Sequence, residues 1–142
     1  MLLDANVLLF AVDATSPFHK RAADWLELQL NGPRRVGLPW SSLGAFLRIS
    51  TNPRAAAHPL APDDAWAHVE EWLATEPAWI PQPTEGHAAI FGALIRDYQL
   101  RGNLIADAQL AALAIEHGLT VCSADTDFAR FRELRWENPL EL

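Results

Sequence analysis

The chain has 142 residues, half of them hydrophobic, and a formal charge of −7. That length holds one domain with a proper core and is too short for two ordinary ones, so residues 1–142 read as a single domain. No apolar run approaches the roughly 20 residues of a membrane span, the N-terminus lacks the basic start and cleavage site of a secretory signal, and a single cysteine excludes an internal disulfide.

Met1-Leu2-Leu3 reads as a first strand, closed by Asp4. Asn6 to Val12 is apolar and fits either a short helix or a continuation of that strand. Ser16-Pro17 places a capping residue before a proline at the first helical position, opening a helix to about Leu30 that Gly32 ends. Val36 to Pro39 is a second strand. Ser41 to Ser50 carries Leu43, Phe46, Leu47 and Ser50 at helical spacing and stops before Pro53. Pro62-Asp63-Asp64 opens another helix, with acids where the dipole favours them. Trp79-Ile80 is a third, brief strand. Thr84 caps a helix to about Leu100, and Leu104 to His117 is the clearest helix of all, stopped by Gly118. Leu119 to Cys122 is the strand that follows, and Arg135-Trp136 adds a last one. Strands alternating with helices predict an α/β fold with a mostly parallel sheet.

In such a fold the carboxyl ends of the strands share an edge, and ligands bind there. Asp4 ends the first strand, while Asp125 and Asp127 follow Leu119–Cys122. Asp107 sits in the first turn of its helix, at the same edge. Each has an ordinary structural role open to it. Asp4 with Asn6 forms an Asp-x-Asn pair that suits a turn or helix cap, Asp107 gains from the helix dipole, and Asp125 or Thr126 can cap a short helix to Phe131. Four converging carboxylates nevertheless repel, and a divalent cation with a taste for oxygen ligands, Mg²⁺ or Mn²⁺, is the simplest compensation. Ser123 offers a hydroxyl beside them. The five histidines lack metal-ligand spacing, and no glycine-rich phosphate loop or nucleophile elbow is present. Cys122, in an apolar run, reads as a buried thiol in a reducing cytoplasm.

Negative net charge lowers the expectation of a nucleic-acid partner. Against that, Lys20 is the only lysine among eleven basic residues, and arginine is the better bidentate phosphate ligand.

Three strings taken together resemble the PIN-domain family, and more closely its VapC-type toxins: Asp4-Ala5-Asn6-Val7, Gly102-Asn103-Leu104-Ile105-Ala106-Asp107-Ala108, and Ser123-Ala124-Asp125-Thr126-Asp127-Phe128. The resemblance spans nearly the whole chain. It implies a three-layer α/β/α fold and an Mg²⁺- or Mn²⁺-dependent endoribonuclease, with Asp4, Asp107, Asp125 and Asp127 as the acids and Asn6 and Ser123 as polar neighbours. It also implies a cytoplasmic homodimer, inhibited by a small antitoxin. One feature departs from the family. A glutamate is usual on the helix matched by Ser41 to Ser50, most naturally at Ala45, yet residues 28 to 62 contain no acid at all. Ser41, Ser42, a water or a distant acid such as Glu85 would have to fill the gap.

These expectations lead to hydrolysis of RNA phosphodiesters by a metal-activated water, with Asp4, Asp107 and Asp125 on the cation and Asp127 beside them. Arg48, Arg54 and Arg101 are the candidate contacts to the RNA backbone. A second reading keeps the fold without catalysis, as an RNA- or antitoxin-binding module one acid short. A third, a phosphotransferase of haloacid-dehalogenase type, needs a second Asp where Asn6 stands and a lysine beside the phosphate, and is disfavoured on both counts.

Overall fold

A computed structural model describes residues 1–141. Five short strands form one sheet: β1 (Leu2–Leu3), β2 (Val36–Gly37), β3 (Ala78–Trp79), β4 (Thr120–Cys122) and β5 (Arg135–Glu137). Their order is β3-β2-β1-β4-β5, and every neighbouring pair is parallel. Six helices connect them: α1 (Ala5–Val12), α2 (His19–Leu30), α3 (Trp40–Ser50), α4 (Pro62–Leu73), α5 (His87–Tyr98) and α6 (Leu104–His117), with a 3₁₀ turn at Thr126–Arg130 before β5. No helix among the described residues is long and apolar enough to cross a membrane.

Alternation along the strands sorts the helices into two layers, because successive strand residues face opposite sides. Leu3, Val36, Leu38 and Cys122 pack with Leu8, Leu26, Phe46 and Val69, which lie on α1 to α4. Leu2 and Val121 pack on the other side with Leu94 and with Ala108, Ala111 and Ala114, from α5 and α6. Small residues on α6 let that helix approach the sheet closely. The result is the three-layer α/β/α arrangement.

Several boundaries differ from expectation, each for a local reason. Ser16 and Pro17 form a turn, in which the Ser16 hydroxyl accepts from Phe18 N at 3.1 Å, and α2 begins only at His19. Thr84 takes the amide of Gly86 in the same way, so α5 starts at His87. β2 stops at Gly37 and β3 at Trp79, short of Pro39 and Pro81, because proline has no N–H for the ladder. Asn6 to Val12 resolves as helix, nucleated by the Asp4 carboxylate, which accepts from Ala5 N at 2.7 Å.

Register aligns the strand ends. Leu2 pairs with Gly37, and Leu3 pairs with Cys122. Two residues beyond Leu2, Asp4 therefore stands level with Pro39 on one side and with Ser123 on the other. Asp4 keeps contact with β4 through its own N–H, which donates to Cys122 O at 3.0 Å. Because Asp4 and Ser123 follow Leu2 and Val121 by two residues, both point towards the α6 side.

Candidate acidic metal centre

One hydroxyl organises the strand-end half of the site. Ser123 is fully buried. Its Oγ donates to Asp4 Oδ2 at 2.8 Å and accepts from Asn6 Nδ2 and from Asp125 N, both at 3.0 Å. With one donor and two acceptor positions in use, the hydroxyl is saturated. Asn6 completes the clamp, its Oδ1 accepting from Ala124 N at 3.2 Å and its Nδ2 reaching Asp4 Oδ2 at 3.4 Å. Thus α1, β1 and the segment after β4 are locked together around the Asp4 carboxylate.

Asp125 caps the 3₁₀ turn, its Oδ1 accepting from Asp127 N at 2.9 Å. The cap and the cluster are compatible. Asp107, Asp125 and Asp127 each bring a carboxylate oxygen within 4.8 Å of the others, while Asp4 lies close enough to act electrostatically on Asp107. Sequence reasoning thus placed all four acids at one edge, and they meet there as a triad with Asp4 beside it.

The charge balance of this cluster is poor. Burial pushes the Asp107 carboxyl up to about 6, helped by Asp125, Asp4 and Asp127, and only Arg130 opposes the rise. Burial also raises Asp4, against the stabilising hydrogen bonds from Ser123 and Ala5. A like-charged group of partly desolvated carboxylates is the environment that a hard divalent cation relieves, and the donor set is all oxygen. The residues present therefore fit Mg²⁺ or Mn²⁺.

Arg130 is a neighbour that sequence reasoning missed. Its Nη2 donates to Asp127 Oδ1 at 3.3 Å and its Nε to the Asp127 carbonyl at 3.1 Å. The i to i+3 spacing on the short helix was the available signal. Arg101 precedes α6 and so lies near its N-terminal end. Arg48 sits eight residues along α3 from Trp40, about 12 Å down the helix from the sheet edge, and Arg54 lies beyond that helix. Neither is brought to the acids by these elements.

The departure on α3 is real in three dimensions. Ala45 is half-buried and Ser41 exposed, and Glu85 is exposed in the loop before α5. Ser42 is the residue that reaches the strand end. Buried on α3, it donates its hydroxyl to Leu3 O at 2.7 Å, one residue before Asp4. At Ala45, where the family's acid would stand, this chain offers no oxygen, and the nearby hydroxyl of Ser42 is used to tie helix to strand. Cys122 is buried, with its thiol pKa raised by burial and by Glu137, and is not poised as a nucleophile.

Fold and site define a class: an α/β protein with carboxylates gathered at the carboxyl edge of a parallel sheet, in a group that could hold a metal ion. The PIN domain model matches residues 1–134, and the chain belongs to the PIN-domain family. It is 42% identical over 138 residues to ribonuclease VapC37 of Mycobacterium tuberculosis, covering 97% of this chain and 96% of that relative. To VapC ribonuclease Mb2897 of Mycobacterium bovis it is 43% identical over 141 residues, covering 99% and 96%. Its fold also matches a chain in the crystal structure of VapBC2 from Rickettsia felis bound to a promoter DNA fragment. The TM-score there is 0.69 at 17% identity, with 96% of each chain covered.

Proposed function

We propose that this chain is a divalent-metal-dependent endoribonuclease, the toxin of a toxin–antitoxin pair, acting as one domain in the cytoplasm. The observation that carries the reading is the convergence of Asp107, Asp125 and Asp127 beside Asp4, where the like charges raise the Asp107 pKa. Relatives named as ribonucleases at over 40% identity across nearly the full length support it. Complexes named as toxin–antitoxin among the similar folds support an antitoxin partner, and the family resemblance supports a homodimer.

In this reading Asp4, Asp107 and Asp125 hold the cation, directly or through water, and Asp127 is a further ligand. Bound Mg²⁺ or Mn²⁺ supplies the positive charge that makes water a better nucleophile and stabilises the phosphate in attack. The protein's own part is positioning. Ser123 and Asn6 fix the Asp4 carboxylate, and the cap at Asp127 N fixes Asp125. Arg130, paired with Asp127, is a guanidinium for the RNA backbone, with Arg101 before α6 a further candidate, and Arg48 and Arg54 serve only RNA that extends along α3. The test is digestion of total bacterial RNA with Mg²⁺, Mn²⁺ or chelator, comparing wild type with Asp4→Asn and Asp107→Asn. Metal-dependent cutting by wild type and none by either variant is expected. Undiminished metal-dependent cleavage in both variants removes the assignment.

The missing acid on α3 favours one alternative, a module that binds RNA or antitoxin without turnover. Calorimetric titration with Mn²⁺ beside the cleavage assay separates the two, since RNA binding with no cleavage in either metal selects the alternative.

A further inference from the structure

Across β1 from the acids, the same sheet edge forms a small recess of about 130 Å³ between the ends of β2 and β3 and helices α3, α5 and α6. Pro39 and Pro81 form part of its lining, and Trp40, His87 and Gln109 line it as well. It is far smaller than a site for a drug-sized ligand, and suits one flat ring system. Trp40, at the start of α3, is 47% exposed, so a large part of its indole is open to solvent at the mouth of the recess. Gln109 is exposed too, so an indole face and an amide carrying both donor and acceptor stand open to solvent.

His87 is held in one orientation. Glu116, its side chain only 2% exposed, accepts from Thr84 N at 3.0 Å and from His87 Nδ1 at 3.0 Å. A carboxylate only accepts, so Nδ1 donates to Glu116 and Nε2 is the ring nitrogen that this pair does not use. A carboxylate buried to fix one imidazole and one loop is a substantial investment for a surface turn. The lining contains no arginine or lysine, which makes it a poor phosphate site. A flat aromatic face with neutral hydrogen-bonding groups around it matches a nucleobase.

Geometry connects the recess to the acids. Asp4 is level with Pro39 on the neighbouring strand, and Pro39 precedes Trp40. Asp107 and Gln109 are two residues apart on α6, hence on nearly opposite sides of that helix. The first turns of α6 therefore separate the two places by about one helix diameter, roughly 10 Å. We propose that the recess seats one unpaired base of the RNA, flanking the bond that is cut, by stacking on Trp40 and hydrogen bonding to Gln109 and His87. The proposal rests on the ribonuclease reading and adds a specificity pocket to it.

The test maps cut ends by sequencing after digestion of total bacterial RNA with Mn²⁺, using wild type, Trp40→Ala and Gln109→Leu. Both positions are exposed, so thermal melting should show folded variants. Wild type is expected to cut at unpaired sites with a base bias at one flanking position. Trp40→Ala should cut those sites about five- to a hundredfold more slowly, the range for one lost base stack. Gln109→Leu should flatten the bias at that position alone. Binding is read separately, by fluorescence anisotropy in chelator, on an Asp107→Asn background. There an abasic residue at the flanking position should weaken binding about tenfold with Trp40 present and not with Trp40→Ala. Wild-type protein that cuts no RNA removes the ribonuclease reading, and the pocket with it. Cleavage that retains the same sites, rates and bias in both variants removes the pocket alone. So does a Trp40→Ala effect that light scattering traces to a changed oligomeric state, with the abasic penalty unaltered.

Discussion

On one side of β1 the sheet edge is crowded with charge, and on the other it has almost none. Over β4, partly desolvated aspartates converge and are held by a saturated hydroxyl network. Over β2 and β3, Pro39 and Pro81 stand just past the strands, and the exposed groups include an indole and neutral amides, with no aspartate, glutamate, lysine or arginine among them. The same parallel-sheet edge thus carries two kinds of physics. The acidic side is electrostatically strained until a cation arrives, so its behaviour should follow pH and metal. The proline side is held by packing and by the Glu116–His87 pair, and should be indifferent to metal.

The largest expected effect is on the acidic side. Asp107→Asn should abolish metal-dependent cleavage and remove most Mn²⁺ binding in calorimetry, while raising the melting temperature of the metal-free protein at pH 7. Loss of function with gain of stability is the signature of a strained site. A metal-free variant that melts below wild type would show that Asp107 is structural. Next is Ser123→Ala, which frees the Asp4 carboxylate and leaves Asn6 Nδ2 without that acceptor. Loss of such a ligand-orienting group costs about 10- to 100-fold in metal affinity or activity, readable in the same titration.

The sign of the pH effect follows from Asp107. Its folded pKa, about 6, lies above the ordinary aspartate value of 3.8. Between those values the metal-free folded protein keeps a proton that the unfolded chain has released, so this group's contribution makes stability fall as pH rises. The melting difference between Asp107→Asn and wild type should therefore be small near pH 4 and widen up to pH 7. A cation competes with that proton, so Mn²⁺ affinity should drop as pH falls below 6, with proton release on binding. A melting difference that stays constant with pH would remove the electrostatic account.

Much of this contrast could be read from residue order alone. Asp4, Asp107, Asp125 and Asp127 each end a strand or open a helix, and topology brings element ends together at one edge, so the acid site was legible before any coordinates. Helix identities followed from apolar spacing in the same way. What escaped were relations that no local pattern encodes. Strand ends moved because a proline two residues on decides where the ladder stops, as at Gly37 and Trp79. Arg48 and Arg54 looked suitable by type, but helix length carries Arg48 away from the edge. The burial of Glu116 was invisible, since Glu116 and His87 are 29 residues apart and only the packing of α5 on α6 joins them.

That pair offers the control on the quiet side. Glu116→Ala strips the acceptor from the exposed Thr84 N and the part-buried His87 Nδ1, at a cost of about 0.5–1.5 kcal/mol for each hydrogen bond lost. Denaturant unfolding should show the loss, while Mn²⁺ affinity stays at the wild-type value. A change in metal binding would mean the two sides of the edge are coupled through α6.

The smallest effect expected is the most informative about what α3 lacks. Ser42 ties α3 to Leu3 O beside Asp4, and Ala45 is the next residue on that side of the helix, half-buried. Ala45→Glu would add a fourth or fifth oxygen donor, and cation affinity rises with ligand charge. In the metal-free state the added carboxylate would join a group already repelling itself, lowering the melting temperature. With Mn²⁺ the balance should reverse, giving several-fold tighter binding and a larger metal-induced rise in melting temperature than in wild type. If metal affinity does not change and only the metal-free penalty appears, then α3 presents no ligand position in this chain.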